Sequence, residues 1–320
     1  MTPERMDLVV TKTEHETDEI RSLYLEPTDG AVLQPWSAGA HVHGELPSGL
    51  IRQYSLSNDP VNLTQYRISV LLEKSGRGGS AEIHKTVREG DTLWVGGPSN
   101  LFPLVEAPGY LFIAGGIGIT PILPMIRMAQ RARRDWRLVY GGRTLKSLAF
   151  IRELGEMVGG NIVYVPQDEQ GFPDIHGEIM DISETWKIYA CGPPGLLSAT
   201  ERECARAGRT ESLRLERFVA DPEAEHVSRM DDSAFEVKLH RSGTTISVPA
   251  DRSILAAVRE VRPEVQFDCQ VGFCGTCETR VLDGVVDHRD KVLDEDERAT
   301  NTTMMICVSR AKSARLVLDI

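Results

Sequence analysis

Asp268-Cys-Gln-Val-Gly-Phe-Cys-Gly-Thr-Cys277 sets three thiols, Cys269, Cys274 and Cys277, in a C-x4-C-x2-C pattern, and Cys307 follows thirty residues later in Ile306-Cys-Val-Ser309. Three close thiolates with one distant partner is the spacing by which proteins hold a plant-type [2Fe–2S] cluster. Structural zinc usually takes two close pairs, which this pattern does not match; four thiols scattered in a core is the other alternative. Gly272 and Gly275 stand between the ligands, where backbone must curl closely round a bound group. Such a cluster moves single electrons, so this end of the chain is expected to pass electrons onward. Cys191 and Cys204 are too few and too separated for a disulfide framework, and open thiols fit a reducing cytosol.

The residues around this loop read as a small α+β unit spanning 235–320. Phe235-Glu-Val-Lys-Leu-His240, Thr244-Thr-Ile-Ser-Val248 and the closing Ala314-Arg-Leu-Val-Leu-Asp-Ile320 alternate as strands do, and Ser253-Ile-Leu-Ala-Ala-Val-Arg259 has helical spacing. The acidic run Asp290-Lys-Val-Leu-Asp-Glu-Asp-Glu297 is expected to be helical and solvated, with docking to a basic partner as the less common use. Ahead of the unit, 223–234 is polar, charged and without period, which predicts a linker.

Further upstream, 106–222 alternates apolar strands with helices. The strands are Tyr110-Leu-Phe-Ile-Ala114, Trp136-Arg-Leu-Val-Tyr140, Asn161-Ile-Val-Tyr-Val165 and Trp186-Lys-Ile-Tyr-Ala190; helices are expected over 121–134, 148–157 and 194–207. This order predicts a parallel sheet covered on both faces, which binds nucleotides at the carboxyl ends of its strands. Residues 1–105 carry short alternating strands separated by turns such as Pro27-Thr-Asp-Gly30 and Ser57-Asn-Asp-Pro60, the pattern of an antiparallel barrel. Asp91-Thr-Leu-Trp-Val-Gly-Gly-Pro98 reads as its closing strand, and one helix over 80–89, capped by Ser80, is expected inside it.

Four further motifs carry chemistry. Arg52-Gln-Tyr-Ser55 on a barrel strand puts Arg52 and Tyr54 on one face, where a guanidinium and a ring can take a phosphate or a flat anionic ring; cross-strand packing is the plainer use. Gly76-Arg-Gly-Gly-Ser80 leads into a helix and offers backbone amides to an anion, or is an ordinary glycine turn. Gly115-Gly-Ile-Gly-Ile-Thr-Pro121 joins a strand to a helix as a pyrophosphate-binding turn does, although it is neither G-x-G-x-x-G nor a P-loop. Cys191-Gly-Pro193 ends the last apolar strand, so Cys191 is expected to face the ligand crevice or else to be a core thiol.

The bulk properties exclude several classes. At 320 residues the chain holds two or three domains, and 41% hydrophobic with 26% charged residues is ordinary for a globular protein. A net charge of −11 argues against general nucleic-acid binding. No apolar run reaches membrane-span length and no leader pattern opens the chain, so a cytoplasmic protein is expected.

Taken in order, these motifs resemble the phthalate dioxygenase reductase family, within the ferredoxin–NADP reductase superfamily, over essentially the whole chain. Arg52-Gln-Tyr-Ser55 is similar to its R-x-Y-S flavin motif, Gly115–Pro121 to its nicotinamide loop, and Cys191-Gly-Pro193 to its C-G-P turn. Cys274-Gly-Thr-Cys277, His288-Arg-Asp290 and Cys307-Val-Ser-Arg310 are similar to its ferredoxin end. The resemblance implies a multidomain protein: an antiparallel β-barrel flavin domain, an α/β nicotinamide domain and a plant-type ferredoxin domain. It implies that Arg52, Tyr54 and Ser55 hold the flavin ring, with Gly78, Gly79 and Ser80 at its phosphate and Phe218 shielding it. Gly115, Gly116, Gly118, Thr120 and Pro121 would line the dinucleotide, and Cys191, Gly192 and Pro193 the nicotinamide. Ser55, Thr120 and Cys191 would be the groups nearest the reacting atoms.

The family implies FMN, although superfamily relatives with a similar barrel use FAD. Asp168, after the third apolar strand, is suited to ribose hydroxyls and favours NADH, while Arg143 and Lys146 nearby could accept the extra phosphate of NADPH. Electrons would then run from NADH through flavin to the cluster and on to a terminal oxygenase, Rieske-type before cytochrome P450, from a monomeric reductase. The reading from a different class is a binding or sensing protein with structural zinc and a catalytically idle nucleotide fold; colour and bleaching by NADH separate the two.

Overall fold

The β-branched and aromatic alternation of the first third forms six strands: β1 (Arg5–His15), β2 (Ile20–Pro27), β3 (His41–Glu45), β4 (Ile51–Ser55), β5 (Tyr66–Leu71) and β6 (Thr92–Ser99). They make an antiparallel sheet in the order β4-β3-β6-β1-β2-β5. The edges meet where Leu56, just past β4, bridges Ile68 of β5, so the sheet closes as a barrel. Leu8, Leu23, Leu25, Val42 and Leu56 fill the interior. The computed structural model describes residues 5–73, 78–218, 232–267, 272, 275–290 and 292–320.

Two expectations for the barrel are corrected. The strand expected to close it, β6, lies mid-sheet between β1 and β3. Closure falls to the turn after β4, where the Asn58 side chain donates to Gln65 O (2.9 Å) and accepts from Arg67 N (3.0 Å), drawing β5 alongside. The helix α1 (Gly79–Lys85) is shorter than expected and its N-cap is Gly78, left-handed at φ 91°, rather than Ser80. The Ser80 hydroxyl instead accepts from Glu73 N (3.0 Å), tying the helix to the chain beyond β5.

The second sheet is parallel: β7 (Gly109–Gly115), β8 (Asp135–Gly142), β9 (Gly160–Pro166), β10 (Lys187–Cys191) and β11 (Leu213–Glu216), in the order β11-β10-β7-β8-β9. Helices α2 (Ile119–Arg131), α3 (Ile151–Gly155), α4 (Gln167–Gln170), α5 (Ile175–Met180) and α6 (Pro194–Arg206) connect the strands. Leu111, Phe112 and Ile113 of β7 are fully buried, facing separate clusters on the two sides of the sheet. Each such side chain contributes roughly 1.5–3 kcal/mol. The chain winds from β7 outward to β9, then returns to β10 on the other side of β7. The switch point of the sheet therefore lies between β7 and β10.

The barrel and this sheet belong to one compact unit, 3–218. Among the described residues, exposed ion pairs join them at Arg131–Asp59 (2.5 Å), Arg143–Glu19 and Arg152–Glu14 (4.0 Å), each worth at most about 0.2–1 kcal/mol. The second engages Arg143, one of the two residues considered for the extra phosphate of NADPH, with a barrel carboxylate.

The other unit holds the described residues from Asp232 to Ile320. A mixed sheet runs β13 (Thr245–Val248), β12 (Phe235–Leu239), β18 (Arg315–Leu318), β14 (Glu278–Asp283), β16 (Thr303–Met305), with β12 and β18 parallel. A short ladder pairs β15 (Val286–Asp287) with β17 (Arg310–Ala311). The helix α7 (Ile254–Arg259) starts as predicted at Ser253, whose hydroxyl accepts from Ala256 N (3.1 Å). The acidic run is not one helix. Asp290 is buried at 2% exposure, and only α8 (Glu295–Thr300), capped by Asp294, is helical. Linker residues 223–231 lie outside the described residues. Among the described residues no helix is long and apolar enough to cross a membrane.

Candidate redox sites

At β4 the structure brings Arg52 onto the Gly78–Gly79 turn. A Cβ on Gly79 would stand 3.2 Å from both Cγ and Nε of Arg52, while at Gly78 nothing lies within 4 Å. No side chain caps the start of α1 among the described residues. Tyr54, beside Arg52 on the same face, is mostly buried, and burial raises its phenol far above the ordinary value. Its hydroxyl is sealed from solvent and has no hydrogen-bond partner among the described residues. An orphaned buried hydroxyl costs about 1–3 kcal/mol. Together with the open glycine turn, it fits a site completed by a polar, anionic ring system such as a flavin. Ser55 is 8% exposed at the end of the strand. Gly76 and Arg77 of the glycine motif lie outside the described residues.

At the parallel sheet's carboxyl edge, the turns after β7 and β10 touch. A Cβ on Gly118 would stand 2.2 Å from Cys191 O; one on Gly115 would stand 2.6 Å from Pro193 Cδ; one on Gly192 would stand 2.9 Å from Gly115 Cα. Only glycine allows this approach, and the register is level, Cys191 lying opposite Ala114. Gly116 has φ +53° and nothing within 4 Å of a Cβ, so its backbone faces open space. Thr120 is buried at 2% exposure and donates its hydroxyl to Ile117 O (3.0 Å), closing the turn. Pro121 sits in the first turn of α2, where its missing N–H costs nothing. Strand β5 of the barrel packs on the Gly116–Gly118 turn. These glycine cradles at the switch point fit a dinucleotide.

Cys191 does not open onto solvent. It is fully buried, which pushes its thiol well above the ordinary value, and its Sγ lies 3.9 Å from Glu216 Oε2. Glu216 is a residue that motif reading missed. The signal was available only through topology, because it rests on β11 pairing Cys191 with Glu216. Phe218, two residues on, is 42% exposed. Asp168 is exposed in α4 beyond β9, with its N–H on Arg143 O (3.1 Å).

In the second unit, Cys277 and Cys307 are buried at 4% and 7% exposure. They arrive at one end of a strand pair: Glu278 pairs with Met305, and Ile306 N reaches Cys277 O (3.5 Å). Cys269 and Cys274 lie outside the described residues. Gly272 has φ +75°, and a Cβ there would meet Val308 Cγ2 at 2.7 Å and Asp290 Cα at 3.1 Å, so Gly272 itself lies against Val308 and Asp290. The Asp290 carboxylate accepts from Val292 N (3.1 Å), Leu293 N (2.9 Å) and the Ser309 hydroxyl (3.3 Å). Two buried thiols at one strand end, beside glycines forced left-handed, fit a thiolate-held cluster.

Comparison with known proteins agrees with this layout. Residues 237–312 match the 2Fe-2S iron-sulfur cluster binding domain and residues 112–202 the oxidoreductase NAD-binding domain. The chain is 37% identical to phthalate dioxygenase reductase of Burkholderia cepacia over 98% of this chain and 97% of that protein. A solved phthalate dioxygenase reductase, described as modular for electron transfer from pyridine nucleotides to [2Fe-2S], superposes with TM-score 0.79 at 35% identity, covering 99% of this chain and 98% of that one. An intact type IV self-sufficient cytochrome P450 monooxygenase superposes with TM-score 0.77 at 37% identity, over 99% of this chain and 41% of that chain. An antiparallel barrel, an NAD-binding sheet and a 2Fe-2S domain in this order, with likeness across nearly the full length, make the chain an oxidoreductase of the phthalate dioxygenase reductase family.

Proposed function

We propose that the chain is the reductase component of a multicomponent oxygenase, carrying electrons from NADH through FMN and a [2Fe–2S] cluster to a Rieske-type terminal oxygenase. The observation that carries the reading is the contact of the Gly115–Gly118 turn with Cys191–Pro193 at the sheet's switch point, in the same unit as a barrel with an open glycine turn on Arg52. When bound, the flavin converts two-electron hydride chemistry into the single-electron steps that a cluster accepts.

The chain's own residues hold and orient. Arg52 with Gly78, Gly79 and Ser80 takes the flavin phosphate, Tyr54 and Ser55 hold the ring, and Phe218 covers it. Gly115, Gly116, Gly118, Thr120 and Pro121 receive the dinucleotide, while Cys191, Gly192 and Pro193 back the nicotinamide. Asp168 takes the ribose hydroxyls and repels a 2′-phosphate; the engagement of Arg143 by Glu19 supports NADH further. Cys269, Cys274, Cys277 and Cys307 hold the cluster. On this reading 1–105 is the flavin barrel, 106–222 the nicotinamide domain, 223–234 a linker and 235–320 the ferredoxin domain, working in a reducing cytosol.

Reconstitution tests the reading. Purified protein with NADH should drive turnover of a Rieske oxygenase from the same source, and released flavin should chromatograph as FMN. A second reading, service to a cytochrome P450, draws support from the likeness to the self-sufficient P450 chain. NADH-driven turnover of a P450 and not of a Rieske protein would replace the first reading with the second.

A further inference from the structure

Among the described residues, the joint between barrel and parallel sheet contains a largely buried ion pair that the redox motifs do not use. Arg67 of β5, 7% exposed, donates Nη1 to Glu153 Oε2 (2.6 Å) and Nη2 to Oε1 (3.1 Å). The same guanidinium donates Nε to the Ser57 hydroxyl (3.1 Å) and Nη2 to Ser57 O. Ser57 is fully buried and follows Ser55 of the flavin motif by two residues. On the other side, Arg127 Nη2 donates to Glu153 Oε1 (2.8 Å) from α2, the helix that the Gly115–Thr120 turn opens. One carboxylate thus ties the end of the flavin strand to the nicotinamide helix.

A second route leaves the same segment. Ala149 N donates to the Tyr140 hydroxyl (3.1 Å), which donates to Gly116 O (3.0 Å), inside the nicotinamide turn. Between Ala149 and Glu153, Phe150 holds a left-handed backbone at φ 62° with its ring buried under the Arg67 guanidinium (4.7 Å). A left-handed aromatic residue persists only where the surroundings over-determine it. Burial would raise the Glu153 carboxyl, but hydrogen bonds from Arg67 and Arg127 outweigh it and hold the group below its ordinary value, so it is ionised at neutral pH.

We propose that Glu153 is a positioning residue that fixes the approach of the nicotinamide turn to the flavin strand through Arg67, Arg127 and the Tyr140–Gly116 bond. This rests on the function proposed above. In that reaction a hydride would leave the C–H bond of bound dihydronicotinamide and form an N–H bond on the oxidised flavin that the Arg52–Ser55 strand would hold, leaving the nicotinamide oxidised. Its rate depends steeply on approach, a misplacement of ~1 Å costing about 100-fold. The exposed pairs Arg131–Asp59, which also joins α2 to the turn after β4, and Arg143–Glu19 span the same joint, but solvent screens them.

The test is Glu153→Gln in the full-length holoprotein, read by anaerobic stopped-flow and by amide hydrogen exchange. The limiting rate of flavin bleaching at saturating NADH should fall ~10–100-fold with the NADH dissociation constant within about 2-fold, and exchange over 116–120 should quicken. A limiting rate within about 2-fold of wild type, whatever the melting temperature does, would overturn the proposal. If Glu153→Gln fails to fold, Arg127→Gln removes only the helix arm: a fall of about 3-fold or more supports the proposal and no fall overturns it. Should NADH not bleach the wild-type protein, the functional reading fails; exchange over 116–120 then decides the clasp alone, quickened supporting it and unchanged overturning it.

Discussion

Strand β7 is buried at every position from Gly109 to Gly115, whereas β14 of the ferredoxin unit buries only Thr279 and Val281 among its six residues. A strand covered on both faces has only its ends left for chemistry. In the first unit the proposed nicotinamide residues accordingly sit on turns at the carboxyl edge, where glycines set how closely those turns approach, and the proposed flavin residues sit on β4 and the facing Gly78–Gly79 turn. A strand with one wet face leaves its unit a thin core, and the ferredoxin unit supplements it with buried polar groups. Asp290 accepts from the backbone at Val292 and Leu293 and from Ser309; Arg310 donates to Arg252 O (2.7 Å) and Pro249 O (3.1 Å) and lies 5.0 Å from the Phe235 ring. One unit sets its turns by backbone proximity, the other props a thinner core with buried side-chain hydrogen bonds.

The largest effect expected of that contrast is Cys307→Ser. Cluster absorption and the reduced-cluster EPR signal should vanish, and NADH-driven reduction of a one-electron acceptor should fall ~100-fold or more, while flavin bleaching by NADH stays within about 2-fold. Equal losses in both assays would show that the two sites do not separate as described.

Gly118→Ala attacks the other kind of site. Its Cβ would stand 2.2 Å from Cys191 O, backbone against backbone, so the turns must part. We expect a loss of ~1–3 kcal/mol in the first unit and about 10-fold or more in flavin bleaching, with iron content unchanged. Normal kinetics would mean that the turns need not touch.

Asp290→Ala leaves Val292 N, Leu293 N and the Ser309 hydroxyl without their acceptor. Thermal unfolding of the ferredoxin unit should shift by ~1–3 kcal/mol and iron loading should drop, with NADH affinity unaltered. An unchanged melting point would remove the polar brace from the account.

The smallest effect is at the exposed joint. Hydrogen bonding from Arg131 holds the Asp59 carboxyl below its ordinary value of 3.8, so its contribution is complete above that pH and is lost as pH falls through the depressed value. Both partners are a quarter or more exposed, which limits the contribution to about 0.2–1 kcal/mol. Asp59→Asn should therefore lower stability slightly at pH 7 and not at all at pH values well below 3.8; a larger loss in acid would reverse the sign.

Much of this was legible because periodicity and punctuation agree. The all-apolar β7 ending in Gly115-Gly-Ile-Gly and the C-x4-C-x2-C loop identify a parallel sheet and a thiolate site before any coordinates. Residues whose role depends on a distant partner were not legible. Glu216 acquires meaning only when β11 pairs with β10, and Arg67 only when β5 meets α3. Asp290, although it closes the His288-Arg-Asp290 motif, read by charge as the start of a solvated acidic run, because charge counting is blind to the backbone amides it accepts from. Ser80 looked like a cap because cap residues are recognised by type, and here Gly78, free to take positive φ, ends the turn first.

Anaerobic titration with NADH, followed by flavin absorbance and by EPR, tests the relay most directly. A flavin that takes two electrons and a cluster that takes one predict full reduction at ~1.5 equivalents of NADH, with flavin bleaching and a cluster signal in the same sample. Protein that contains iron and flavin but stays unreduced by excess NADH would contradict the account.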